Sequence, residues 1–317
     1  MTPMAETGRA NGKLLLFGEH AAVYGHPAVG VTLVDETTAT FGGCPASAWN
    51  LATIPTEDVE GVRRVLDRME RVLPGFAAAG RCEVRIRSGV QPMAGFGSSA
   101  ALCGALARAA LWRTGENGGD LGRAWTIAHE AERIFHGTPS GVDTGLSLLK
   151  GTCILRPRPS SLPGFEVVPT AGIRLVFGAV RRDGLCRDLV AGLAAKMRSG
   201  DRAVRSAIAS LGEIAESAAA LLRAGRDDRA SALGTLANDA MARLRSLGLG
   251  TRDLEVVLDA SRDAGATGAK LSGAGGGGAF YAVAPDAATA DAIASRIERD
   301  AAAAGVALLA PVRIVVA

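Results

Sequence analysis

Aromatic residues make up only 4% of this 317-residue chain, and lysine occurs four times among its 35 basic residues. Neither a base-stacking platform nor a phosphate-tracking stripe of lysines is therefore present, and no nucleic-acid partner is expected. Charge of one sign is also scarce: no block of five like charges occurs and the formal net charge is +3, the pattern of an ordinary globular surface. No stretch offers the roughly 18 uninterrupted apolar residues of a membrane span. The opening MTPMAETGRANGK has no apolar leader segment, so a cytoplasmic protein with no membrane partner is expected. The five cysteines, Cys44, Cys82, Cys103, Cys153 and Cys186, are odd in number and form no C-x-x-C pair. That spacing excludes a zinc ribbon and argues for reduced thiols over a disulfide framework. No G-x-x-x-x-G-K-[ST] occurs either, so any phosphate chemistry here is not that of a P-loop.

What is present is glycine, alanine and short apolar runs. A chain of this length is expected to form two domains, each burying its own core. GKLLLF (12–17), PAVGVTL (27–33) and the alternating CEVRIR (82–87) read as strands. GFGSSAALCGALARAALW reads as a turn and helix, GDLGRAWTIAHEAERIFH (119–136) as a helix, and SGVDTGLSLL as the start of a short one. GTCILRPRP and IRLVFGAV read as strands, with SSLPG between them as loop. Residues 185–264 read as a layer of three or four helices broken by glycines at 200, 225 and 248–250. A glycine loop then enters a strand in KLSGAGGGGAFYAV, followed by a helix over 286–304 and a closing strand, PVRIVV. The texture changes near residue 160.

GFGSSAA (95–101) admits three readings. As phosphate chemistry, Gly95 and Gly97 leave the backbone uncrowded, and Ser98 and Ser99 open a helix whose free N–H groups favour an anion. As a dinucleotide fingerprint it lacks the following strand and acid, because Glu116 and Asp120 lie in a glycine-rich loop. As a hydrolase nucleophile it lacks the G-x-S-x-G elbow. The plainer alternative is a serine cap after a glycine turn. A second loop, KLSGAGGGG (270–278), holds five glycines in nine residues, an entropic cost better explained by close approach of backbone to a bulky ligand than by a simple turn.

HEAERIFHGTPSGVD supplies charge. His129, Glu132 and His136 fall on one helix face, but the spacing is not the H-E-x-x-H of a zinc site. Glu132 is either half of a solvated pair with His136 or the single carboxylate of a Mg²⁺ that takes its other ligands from phosphate, water and a serine hydroxyl. Asp143 is either a helix cap or a base for a hydroxyl. Lys13 is either a charge at a strand start or the partner that keeps such an aspartate ionised.

Together these pieces resemble the GHMP kinase superfamily, the small-molecule kinases named for galactose, homoserine, mevalonate and phosphomevalonate. NGKLLLFGEHAAVYG, PMAGFGSSAALCGALARA and KLSGAGGGG match its three blocks in order, across residues 11–278. The resemblance implies an α+β, two-domain fold: an N-terminal domain (1–160) like the second domain of ribosomal protein S5, and a ferredoxin-like C-terminal domain (161–317). It also implies ATP and Mg²⁺ as cofactors and a small-molecule substrate, with a homodimer as the family's expectation. Carried over by residue, Asp143 is the base and Lys13 its charge partner. Gly95, Gly97, Ser98, Ser99 and Ala100 wrap the ATP phosphates, with Gly273 and Gly275 helping to close the site. Ser99 and Glu132 ligate Mg²⁺, while Glu19, His20 and Ser140 lie by the substrate. GEHAAVYGHPAVGVTL and HGTPSGVD are most similar to the branch that acts on mevalonate, which implies phosphorylation of its 5-hydroxyl in isoprenoid precursor synthesis. Phosphomevalonate, the mevalonate 3-hydroxyl or a sugar are alternative acceptors, and a non-catalytic nucleotide-binding regulator is a further alternative.

The chain departs from the family pattern in two places. Asn11 stands where the first block usually has proline. In VRRDGLCRDLVAG, Cys186 stands where the mevalonate branch commonly has threonine, and Arg181 and Arg182 are either surface charges or a reach toward an anionic acceptor.

Overall fold

The structure, a computed structural model, describes residues 6–158, 161–169, 172–182, 186–224 and 228–317. It divides into two compact units. The first holds Met1–Lys13, Thr32–Pro92 and Gly97–Lys150; the second holds Leu14–Val31, Met93–Phe96 and Gly151–Ala317. Strands β1 (Glu6–Phe17) and β2 (Ala28–Ala46) contribute residues to each.

In the first unit follow α1 (Thr56–Val72), α2 (Pro74–Ala78), β3 (Arg81–Ser88), α3 (Ser98–Arg113), α4 (Leu121–His136) and α5 (Val142–Leu148). β3 pairs antiparallel with β2 over Thr37–Ala46. Helix α3 is alanine-rich and buried on most sides, packing against α4 and α5, as a helix without a polar face must. Small residues allow the close approach: a Cβ on Gly104 would meet that of Ala10 at 2.8 Å. α4 starts at Asp120, whose carboxylate accepts the N–H of Arg123 at 3.0 Å. Its buried stripe is Ala124, Ile127, Ala128, Ala131 and Glu132, helical spacing with a carboxylate at the end of an apolar row.

In the second unit follow β4 (Thr152–Arg158), β5 (Ser161–Val168), β6 (Arg174–Val180), α6 (Cys186–Ser199), α7 (Arg202–Ala224), α8 (Arg229–Ser246), α9 (Arg252–Asp263), β7 (Gly268–Leu271), β8 (Gly278–Ala284), α10 (Ala287–Ala304) and β9 (Arg313–Val316). A four-stranded sheet runs in the order β7-β8-β6-β9, with α8, α9 and α10 packed on its strands. β8 is buried at every residue, which explains the unbroken apolar run AFYAVA.

The α+β class and the helical layer agree with the sequence reading, and Gly200 and Gly248–Gly250 do fall between helices. SSLPG differs. Its described part is not loop but the start of β5, paired with β4 from Arg158↔Ser161 onward, because a proline and a glycine are tolerated where a strand lies outermost. The extension of β2 to Ala46, and helices α1 and α2, lie where the pattern gave no assignment. Among the described residues no helix is long and apolar enough to cross a membrane.

Candidate active site

The first unit gathers most of the residues singled out above. Gly97 (φ 76°) is the N-cap of α3 and brings no side chain to cap the first turn. The first backbone bond closes only at Ala101, whose N–H donates to the Gly97 carbonyl at 2.9 Å. The N–H groups of Ser98, Ser99 and Ala100 thus stand at the positive end of a 16-residue helix without a capping acceptor, the arrangement that binds phosphate.

Lys13, at the middle of β1, is buried, and its aliphatic stem passes over Gly97. Its Nζ lies 3.0 Å from Oδ1 of Asp143, which remains 37% exposed. Asp143 sits in the first turn of α5, after Gly141 (φ 82°). Among the bonds that hold that turn, the Trp125 indole N–H donates to the Gly141 carbonyl at 3.1 Å, and the Val142 N–H to Ser140 Oγ at 3.3 Å. A carboxylate that is open on one side and fixed by an ammonium on the other is suited to accept a proton from a bound hydroxyl.

Glu132 is almost wholly buried and neither of its carboxylate oxygens has a hydrogen-bond partner. Burial, with the nearby charge of Asp143, pushes its pKa up to about 8, against the pull of Lys13. A carboxylate left unpaired at this depth is costly. The His136 ring links it to the α3 turn, with Nε2 3.9 Å from Glu132 Oε1 and 3.3 Å from Ser99 Oγ. Burial lowers the His136 pKa. Among the described residues no three of His, Cys, Asp and Glu form a metal cage, and His129 is not drawn in: its Nδ1 is buried without a hydrogen bond.

The second unit holds a separate cluster. Glu19 is buried and paired with Lys270. His20 adopts φ 58°, and its Nε2 lies 3.1 Å from the carbonyl oxygen of Ala274 in the glycine run. Burial lowers the His20 pKa to about 4, so the ring is neutral. All five glycines of that run, Gly273 and Gly275–Gly278, have positive φ. At Gly275 and Gly277 a Cβ would also strike Leu249 at 2.7 Å and the Arg181 carbonyl at 2.2 Å. Conformation and crowding therefore both demand glycine there, whereas Gly273 faces open space. Gly95 (φ 92°) belongs to this unit, with the Arg182 guanidinium 3.3 Å from where its Cβ would be. Arg181 is exposed, and the side chain of Cys186 lies outside the described residues.

Two residues of these clusters escaped the sequence reading as contributors. In the sequence His136 stands as a helical pair with Glu132 and as a member of the His129–Glu132–His136 face, with no sign of its contact with Ser99. Lys270 opened a glycine motif whose glycines drew the attention, although a lysine within an apolar strand was itself a signal.

A model of the GHMP kinases N terminal domain matches residues 60–151, and a model of GHMP kinases C terminal matches residues 205–303. The chain is 30% identical over 305 residues to the mevalonate kinase of Thermococcus sibiricus, covering 87% of this chain and 88% of that protein. It is 31% identical over 288 residues to the mevalonate kinase of Methanothermobacter thermautotrophicus, covering 89% and 91%. Among solved structures, L. major mevalonate kinase in complex with R-mevalonate superposes with a TM-score of 0.75 at 23% identity, covering 94% of this chain and 92% of that one. That likeness concerns the fold.

Proposed function

The chain belongs to the GHMP kinases, ATP-dependent small-molecule phosphotransferases, and from that premise we propose that it transfers the γ-phosphoryl group of ATP to the 5-hydroxyl of mevalonate in isoprenoid precursor synthesis. The observation that carries the reading is the Lys13–Asp143 pair at 3.0 Å, with the carboxylate still open to solvent.

Each residue then has a physical task. Asp143 accepts the proton of the attacking hydroxyl, and Lys13, 3.0 Å from it, offsets the charge of the alkoxide as it forms. The N–H groups of Ser98, Ser99 and Ala100 hold phosphate oxygens with no reorganisation during the reaction. Gly95 and Gly97 keep that turn free of side chains, and Gly273 and Gly275 are further nucleotide contacts. His20 and Ser140 orient the acceptor; Glu19, buried against Lys270, acts behind His20.

The two free oxygens of Glu132 fit a hard cation, which would neutralise carboxylate and phosphate together. Glu132 and Ser99 would hold Mg²⁺, and the metal when bound supplies charge neutralisation on the transferred group. An ion that takes most of its ligands from phosphate and water needs no more than these two from the protein. The family division near residue 160 falls between the two matched stretches. The buried free thiols of Cys82 and Cys103 support a reducing, cytoplasmic setting. A homodimer is the proposed assembly, and sedimentation checks it.

The test is ADP release from Mg-ATP with mevalonate, phosphomevalonate, galactose and homoserine, with the product located by phosphorus NMR. Turnover with mevalonate alone and phosphate on the 5-oxygen is the expected result. Turnover only with another acceptor would move the assignment, and phosphate on the 3-oxygen would change the reaction. No turnover, with Mg-ATP still protecting against unfolding, would leave a nucleotide-binding regulator.

A further inference from the structure

Lys270 takes no part in the chemistry above, yet it is wholly buried and surrounded by oxygen. It leaves β7 directly opposite Tyr281 of β8. Its ammonium donates to the Leu16 carbonyl at 3.1 Å, to the Leu271 carbonyl at 2.7 Å and to the Glu19 carboxylate. The rings of Phe17 and Tyr281 flank it at 5.8 and 5.3 Å. Two neutral bonds reinforce the joint: Ser272 Oγ donates to the Leu15 carbonyl at 2.7 Å, and the Tyr281 hydroxyl to the Leu16 carbonyl at 2.8 Å. The end of β1 is thereby tied to the start of the glycine run, across 251 residues of sequence in the case of Glu19 and Lys270.

A buried ion pair is a poor source of stability, since apolar side chains of the same size serve as well or better. What it does supply is register, because only one placement satisfies every partner. The next residue after Glu19 is His20, held at φ 58° with its ring on the Ala274 carbonyl. The two sides of the joint are thus the turn that presents His20 and the loop that contains Ala274.

We propose that Lys270 is a positioning residue: through Glu19 it locks the turn at 18–20 to the glycine loop at 272–277, so that His20 and that loop meet the acceptor as one rigid body. The proposal rests on the reading above that places His20 by the acceptor.

The test uses the full-length double variant Glu19→Gln/Lys270→Met, which removes both charges and keeps the volumes. A folded double variant protected by Mg-ATP as the wild type is, with its KM for mevalonate raised about tenfold or more and the loss falling on KM more than on kcat, is the expected result. Amide hydrogen exchange should also become faster over 14–24 and 268–280 together. A folded double variant with the wild-type KM would overturn the proposal. Should it not fold, Glu19→Asp, which keeps the charge and shortens the reach, takes its place. A raised KM there supports the joint, while a wild-type KM, or failure of this variant to fold as well, assigns the pair to the core alone. If the wild type does not phosphorylate mevalonate, the functional reading fails separately, and coupled against uncoupled exchange of the two segments decides the proposal.

Discussion

Gly97 and Lys13 share one space: a Cβ on Gly97 would fall 2.8 Å from Lys13 Cγ and 3.0 Å from its Cε. The glycine that opens α3 therefore also lets the lysine stem run beneath the phosphate turn to Asp143. Gly97→Ala must both adopt φ 76° and displace that stem. A loss of about 1–2 kcal/mol of stability is expected from the backbone, with a fall in kcat of about 10²-fold from the misplaced ammonium. Thermal midpoint and kcat, measured together, separate the two. A destabilised variant with wild-type kcat would show that the lysine's position does not matter.

Asp143→Asn keeps the shape of the side chain and removes its ability to take a proton. Turnover should fall by about 10²-fold or more, while the thermal shift produced by Mg-ATP stays as in the wild type. An asparagine variant that kept most of its turnover would remove Asp143 from the role of base. Lys13→Met should move kcat in the same direction and should not be additive with Asp143→Asn, since the two act on one proton.

Glu132 makes a prediction with a sign. Its pKa is raised by burial from the ordinary 4.5 to about 8, so between those values the folded protein holds a proton that the unfolded chain has released. Stability from this group is full below about pH 4.5 and is lost as pH rises toward 8. His20 acts oppositely and at lower pH: its depressed pKa of about 4 makes stability fall as pH drops below 6.5. Melting temperatures of the metal-free protein should therefore decline for the wild type between pH 6.5 and 8, where His20 no longer offsets Glu132, and stay flat over that window for Glu132→Gln. Binding of Mg-ATP should release a proton near neutral pH, read by calorimetry in buffers of different ionisation heat. Equal slopes for the two proteins would mean that Glu132 is already ionised.

The fold was legible wherever a residue's own neighbours dictate its state. The stripe Ala124, Ile127, Ala128, Ala131 and Glu132 announces both α4 and the odd carboxylate on its buried face. The glycines at 95, 97 and 141 announce turns because only positive φ is available there. What escaped depends on partners far along the chain. The strand β5 exists because β4 pairs with it, and nothing in SSLPG says so. The role of Lys270 depends on Glu19, 251 residues earlier. Family motifs named Glu19 without revealing that its carboxylate is turned to a lysine and not to solvent.

His136 supplies the last prediction. Its Nε2 lies between Ser99 Oγ at 3.3 Å and Glu132 Oε1 at 3.9 Å, the two groups assigned to Mg²⁺. Desolvation lowers its pKa, which favours the neutral ring, and in that form Nε2 can accept a hydrogen bond from the Ser99 hydroxyl. A serine that donates to His136 turns its lone pairs the other way, toward a cation. His136→Ala frees that rotor and should raise KM for Mg-ATP about tenfold, in the range of one lost hydrogen bond to a charged site. KM for the acceptor should stay within about twofold, because the Asp143 side of the site is untouched. His136→Gln, which can still accept from Ser99, should recover part of the loss. If the alanine variant keeps the wild-type KM for Mg-ATP, Ser99 needs no orienting partner and the contact is only packing between α3 and α4.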